Sequence, residues 1–353
     1  MCILFVCCML CSGAYMEQEG AIWTDNQPNH HPPRSEPRIP PLPPPAPAPR
    51  DSSSTPAAVT RFINSIRVVN HYSYRGLTVF PLEYQGRLPD LTLHTLDDAM
   101  RRGWVDIRER DDAEVGVVMI RNTGRRPVFL MNGELLTGGH QNRIIRNDIL
   151  LEARSWPTPV SVYCVEQERW QGMPQATFTS ANAAGSPSLR GKALADESQS
   201  SIWREVDEQH SAAKITSRTH NYQEVYADRD MARNIDAFTS RIISFLPRNI
   251  VGLAVARGDH IIGIDIFGTE ALCSALREKL IRSYAVENTK HTRHESDTVG
   301  IRDIERLVRR IADADFTARD TPGAGTCLDI RGPVSGSALV WNNELVHLAV
   351  FEQ

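Results

Sequence analysis

The sequence predicts an α+β fold: a β-rich antiparallel sandwich or partly open barrel, followed by hairpins packed with two or three helices. Three observations carry this. Between residues 115 and 165, five or six short apolar, β-branched runs follow one another, separated by turn signals. Two further hairpin patterns close around Arg257-Gly258-Asp259 and Asn342-Asn343. Between those hairpins, residues 269–284 and 299–314 repeat apolar side chains at helical spacing.

Composition narrows the function classes. Hydrophobic content of 41% and charged content of 23% fit a globular chain, and 353 residues allow one large or two ordinary domains. A net charge of −4 supplies no global positive field, so nucleic acid is not an expected partner. Four of the seven cysteines fall within the first eleven residues. Cys164, Cys273 and Cys327 are too scattered for a disulfide framework or a zinc knuckle. The histidines show no H-x-H or H-E-x-x-H spacing, so no metal is expected. A phosphate-binding P-loop, a G-x-G-x-x-G turn and a G-x-S-x-G elbow are all missing, so no cofactor is expected either.

In chain order, residues 1–14 resemble a truncated secretory signal, with an apolar run and Ser12-Gly13-Ala14 in the place of a cleavage site. The run is too short to span a bilayer, so no integral membrane span is expected. The positive n-region is missing, which leaves export and a cytoplasmic tail both open. Residues 15–61 read as a Pro-rich disordered linker that favours extended polyproline II. The folded body covers 62–353. It divides into a β-rich part (72–170), a polar insertion (178–227) and an α+β part (231–353).

Within the body, 76–82 reads as a strand. A short helix follows, capped by Thr95, with Asp97 and Asp98 at its N-terminus, Arg101 and Arg102 at its C-terminus and Gly103 as its stop. Strands are expected at 104–108, 115–120, 128–131, 135–136, 144–151 and 160–165. Asn132-Gly133 reads as a type I′ hairpin turn. In the insertion, only 200–207 reads as helix and the rest as loop. Helices are expected at 231–245, 269–284 and 299–314, with the arginines of the last on a solvated face. Leu130-to-Leu135 and Val340-to-Leu345 look alike, which reads as convergent turn chemistry.

The chemistry concentrates between Gly138 and Trp170. Gly138-Gly139-His140-Gln141-Asn142-Arg143 and Glu166-Gln167-Glu168-Arg169-Trp170 flank a strand. Such side chains are costly to bury unpaired, so their grouping suggests a polar site. Gly138 and Gly139 let the backbone approach a ligand and turn N–H groups toward an anion. Arg143 can grip a phosphate or carboxylate bidentately, and Gln141 and Asn142 can read hydroxyls or a base edge. The alternative is a β-bulge whose polar residues satisfy buried backbone groups. Glu134 and Glu166 are the candidate catalytic acid/base pair, if a tertiary contact joins them. Cys164 reads as a small buried hydrophobe, with Arg169 the nearest cation that could activate it.

Several of these segments together resemble the ARPP domain, the ARG and rhodanese-phosphatase-superfamily-associated protein, where ARG is ADP-ribosylglycohydrolase. They are Gly76-to-Leu82, Thr95-to-Ala99, Asn132-Gly133-Glu134-Leu135, Gln141-Asn142-Arg143, Cys164-Val165-Glu166-Gln167-x-Arg169-Trp170 and Val346-to-Phe351. The resemblance spans about residues 72–353. One departure is His140, where the family pattern has a Lys or similar residue. The resemblance implies genomic company with enzymes that process ADP-ribose and NAD derivatives. It therefore implies a ligand bearing pyrophosphate and ribose hydroxyls, with ADP-ribosylglycohydrolase-pathway proteins as possible partners. The leading expectation is recognition, with or without hydrolysis, of a nucleotide-derived or other anionic small molecule in an ADP-ribose- or NAD-linked pathway. Arg143, Gly138, Gly139, Gln141, Asn142 and Arg169 would bind it. The alternative is an exported non-catalytic interaction domain tethered by the Pro-rich linker.

Overall fold

The computed structural model describes residues 54–110, 116–169, 177–290, 298–332 and 334–351. The signal-like segment 1–14, most of the linker reading and Trp170 lie outside the described residues. The described residues include a helix before residue 62. A helix, α1 (Ser54–Ile63), buries Ala58, Val59, Phe62 and Ile63. These apolar residues close the Pro-rich stretch, and they recur at helical spacing.

The elements then run in order. First come β1 (Ile66–Val68), β2 (Tyr72–Tyr74), β3 (Leu77–Tyr84), β4 (His94–Thr95), α2 (Leu96–Arg101), β5 (Val105–Glu109), β6 (Val117–Asn122), β7 (Val128–Leu130) and β8 (Glu134–Gly138). Next are β9 (Arg143–Ile145), β10 (Ile149–Leu151), β11 (Thr158–Cys164), β12 (Phe178–Ala184), α3 (Pro187–Leu194), α4 (Gln199–Ala213), α5 (Glu224–Ala227) and α6 (Arg229–Phe245). The chain closes with β13 (Gly252–Arg257), β14 (His260–Phe267), α7 (Glu270–Glu287), α8 (Ile301–Ala312), β15 (Asp315–Arg319), β16 (Thr326–Arg331), β17 (Ser335–Trp341) and β18 (Glu344–Phe351).

The fold is α+β. A nine-stranded antiparallel sheet runs β1-β3-β13-β14-β18-β17-β16-β15, with β2 also on β3. Its central strands are buried on both faces. Phe80, Leu82, Ala254, Ile264 and Leu348 face α1 and α8, while Leu77, Val79, Leu253, Val255 and Phe267 face the remaining helices. Two smaller sheets, β10-β7-β4 and β12-β8-β9-β11-β6-β5, enclose a third apolar cluster that includes Val118, Ile120, Leu136, Ile145 and Val160. Among the described residues, no helix is long and apolar enough to cross a membrane.

Local signals held where the chemistry is local. Thr95 caps α2, its hydroxyl accepting from the Asp98 N–H. Asn342 and Asn343 both have positive φ (52° and 61°) and close the β17–β18 hairpin, as a type I′ turn requires. Gly258-Asp259 turns β13 into β14. Three expectations are corrected. Asn132-Gly133 is a turn, but only Gly133 has positive φ (85°), and β7 and β8 enter different sheets instead of forming a hairpin. The 132–133 and 342–343 segments thus differ in backbone and pairing, in keeping with convergent turn chemistry and not a copied motif. The single strand expected at 144–151 is two, β9 and β10, in different sheets. The polar insertion 178–227 is a strand and three helices, because α4 turns polar residues inward: Ser201, Glu205, Gln209 and His210 are buried beside Ile202 and Val206.

Candidate functional site

Strand ends assemble the first cluster. β8 ends at Gly138, β9 starts at Arg143, and β11 sets Cys164 opposite Arg143. The intervening loop is tight. Gly138 and Gly139 have φ of 128° and 54°. A Cβ on Gly138 would overlap the Thr177 carbonyl, and one on Gly139 would overlap the Phe178 ring and the Glu109 carboxylate. Close approach therefore requires glycine at both positions.

Side chains brace this loop. Asn142 Oδ1 accepts from the Gly138 N–H (3.1 Å) and from Arg169 Nη2 (2.9 Å). Arg169 also donates to the Gly138 carbonyl (3.1 Å) and to Glu166 Oε2 (2.7 Å), which in turn accepts from the Asn142 N–H (3.1 Å). Gln141 Nε2 donates to the Gln167 carbonyl (2.9 Å), and Asn142 Nδ2 to Asn221 Oδ1 (3.1 Å). The structure thus brings Gly138, Gly139, Gln141, Asn142, Arg143, Glu166 and Arg169 together. Its loop amides are already engaged: Gly139 N–H donates to Thr177 O (3.3 Å) and His140 N–H to Glu109 Oε1 (2.9 Å). The loop holds two carboxylates, Glu109 and Glu166, and both belong to the protein.

Glu134 is not part of this cluster. It starts β8 while Gly138 ends it, so the two lie about 13 Å apart at strand rise. Its carboxylate meets Lys279 and the Met131 N–H (2.8 Å), so Glu134 and Glu166 keep separate partners and form no acid/base pair. A cleft of about 250 Å³ lies elsewhere, lined by Arg75, Asn234, Ile235 and Phe238, and shares no residue with the cluster.

Cys164 is a buried thiol. Burial pushes its pKa up to about 11, and Arg143, whose Nη1 donates to Sγ at 2.8 Å, opposes that only in part. The neighbouring cation is Arg143, where the sequence suggested Arg169. Thiolate is the reactive form, so Cys164 in native protein at pH 7.5 will resist iodoacetamide and react after unfolding. Peptide mapping by mass spectrometry reads this out, and rapid native labelling at Cys164 would contradict it.

Two arginines in the fold are equally buried, and their surroundings differ. Arg190 is fully engaged: Nη1 and Nη2 grip Asp265 at 3.1 and 2.6 Å, Nε donates to the Asn132 carbonyl (3.2 Å), and the guanidinium lies over the Phe351 ring. Arg143 has Nη1 on Gln141 (3.3 Å) and Cys164, a single 3.5 Å contact from Nη2 to Glu109, and no partner for Nε among the described residues.

The Arg190–Asp265 pair belongs to a buried chain the sequence did not reveal. Asp265 also accepts from Tyr284 (2.9 Å) and contacts His347 (3.3 Å), whose other ring nitrogen meets Asp148 (2.7 Å). β14 and β18 put Asp265 and His347 on one sheet face. A second buried group joins Lys279 to Asp97 (2.6 Å) and Glu134. The legible signal was a charge in an apolar pattern: Asp265 within Ile-Ile-Gly-Ile-Asp-Ile-Phe, His347 within Leu-Val-His-Leu, and Lys279 on the stripe of Leu272 and Leu276. Glu109 and Asn221 gave no such signal.

Burial alone would lower the pKa of His347, but Asp148 and Asp265 outweigh it and raise it to about 9. A raised folded value contributes stability that is complete below the unfolded value near 6.5 and lost as pH rises through 9. About 3 kcal/mol of stability is therefore expected to disappear between roughly pH 6.5 and 9. Urea unfolding across that range tests this: His347→Gln should flatten the profile, and an unchanged profile in the variant would contradict the assignment.

A family model described as ARPP-1, the ARG and Rhodanese-Phosphatase-superfamily-associated Protein domain, matches residues 65–351. No curated protein and no solved structure matches the chain.

Proposed function

We propose a function from two premises: the chain belongs to the ARPP-1 family, and its Gly138-to-Arg143 loop holds a buried guanidinium short of partners. The domain recognises an anionic, nucleotide-derived small molecule through Arg143, with Arg169 at the rim and Gln141 and Asn142 orienting the rest.

The contrast between Arg143 and Arg190 carries this reading. A buried charge is tolerable when it is paired and hydrogen-bonded. Arg190 meets that condition, whereas Arg143 has a neutral thiol and an amide on Nη1 and leaves its Nε–Nη2 edge almost unused. That edge matches two oxygens of a phosphate or carboxylate. Arg169 is partly exposed in the same loop cluster, where it is paired with Glu166 and offers its guanidinium at the rim. The family name, with its tie to ADP-ribosylglycohydrolases, favours a nucleotide-derived anion within that class.

The test is a thermal-shift screen of the full chain against ADP-ribose, NAD, AMP, ribose phosphates and simple anions. A ligand at 100 times its dissociation constant adds about 2.7 kcal/mol to the native state. A shift with ADP-ribose or NAD that Arg169→Ala weakens is the expected result. No shift with any anion, or a shift that survives both Arg169→Ala and Arg143→Lys, would overturn the reading.

A further inference from the structure

Resting on that reading, we infer that Glu109 stands where the ligand's phosphoryl group binds, and that the site selects a phosphoryl group over a carboxylate. Glu109 ends β5, and its Oε1 reaches into the loop. There it accepts from the His140 N–H at 2.9 Å and lies 3.5 Å from Arg143 Nη2. Gly139 leaves the room for it, since a Cβ at that position would overlap the same oxygen. A backbone amide and a guanidinium edge thus meet at one carboxylate oxygen, which makes an anion cradle occupied by the protein's own side chain.

Glu109 fills that cradle incompletely. The His140 amide is well paired, the Arg143 Nη2 contact is long, and Nε has no partner among the described residues. Two donors therefore meet one oxygen of a planar group, and a third, Nε on the same guanidinium edge, is left over. A tetrahedral phosphoryl group supplies three oxygens and more charge, so it matches the donor set better than a second carboxylate would. The route in is Glu109 itself: its side chain is 17% exposed, while that of Arg143 is 0% exposed. A ligand that displaces Glu109 reaches the guanidinium. One that leaves Glu109 in place meets a like charge beside the site.

Calorimetric titration of inorganic phosphate and of acetate into the full chain and into its Glu109→Gln variant tests this. Gln keeps an acceptor for the His140 amide and removes the competing charge, so an unchanged melting temperature will report an intact loop. Glu109→Ala serves if the Gln variant is destabilised. Phosphate should bind the variant at least tenfold more tightly than the parent, and acetate at least tenfold more weakly than phosphate in both. Equal phosphate affinities would overturn the Glu109 assignment while leaving Arg143 as the anion site. Acetate matching phosphate would overturn the phosphoryl preference. Binding of neither anion to either protein would overturn this inference and the Arg143 reading together.

Discussion

Arg190→Met will lower the stability of the fold by about 3–5 kcal/mol, the typical cost of removing one partner from a buried ion pair. Asp265 is wholly buried. Burial alone would raise its pKa, and Arg190 with His347 holds it below the ordinary carboxylate value. Without Arg190, Asp265 keeps His347 and Tyr284 but loses its two-point grip, and the Asn132 carbonyl loses its Nε donor. Urea unfolding should show the full loss in the single variant. The double variant Arg190→Met, Asp265→Leu should lose less than the two single changes summed, because no lone charge remains. Additive losses would contradict the pairing.

Lys279→Met should cost a similar amount, about 3–5 kcal/mol at pH 8, by the same principle. Lys279 lies between Asp97 and Glu134. Burial alone would favour its neutral amine, and the two carboxylates outweigh that and raise its pKa. Removing the ammonium leaves two carboxylates facing each other. Burial already raises the pKa of Glu134, and a raised folded value gives stability that grows as pH falls. The variant should therefore recover stability between pH 8 and 5, as Glu134 takes up a proton. A loss independent of pH would point to packing, with charge playing no part.

These two clusters also mark how far sequence reasoning reaches here. Elements set by local chemistry were legible: the Thr95 cap, the Gly258-Asp259 and Asn342-Asn343 turns, and the apolar stripe of α7. Elements set by partners were not. Asn132-Gly133 has turn chemistry, but which strands pair across it is a tertiary outcome, and here Arg190 packs against the turn: a Cβ on Gly133 would overlap the Arg190 side chain. α4 lacks the apolar period because its inward face bonds polar groups, as Glu205 does with Lys192 (2.7 Å) and Gln209 with the Val286 carbonyl (3.0 Å).

The site was legible as a composition and not as a circuit. Gln141, Asn142, Arg143, Glu166 and Arg169 stand close in sequence, and strand ends do gather them. The sequence could not show that Glu109, about thirty residues earlier, reaches Arg143, nor that Asn221 braces Asn142 from the far side. It also suggested that Glu134 belonged with Glu166, when strand direction places Glu134 at the other end of β8 beside Lys279.

The central claim is that an anion docks on the Nε–Nη2 edge of Arg143. The most direct measurement follows the Arg143 Nε–H resonance in ¹⁵N-arginine-labelled protein, assigned with Arg143→Lys, while ADP-ribose is added. A saturable downfield shift of that proton, with the Arg190 Nε–H resonance unmoved, is the expected result. An Arg143 resonance that stays in place at ligand concentrations that saturate any other change in the protein would contradict it.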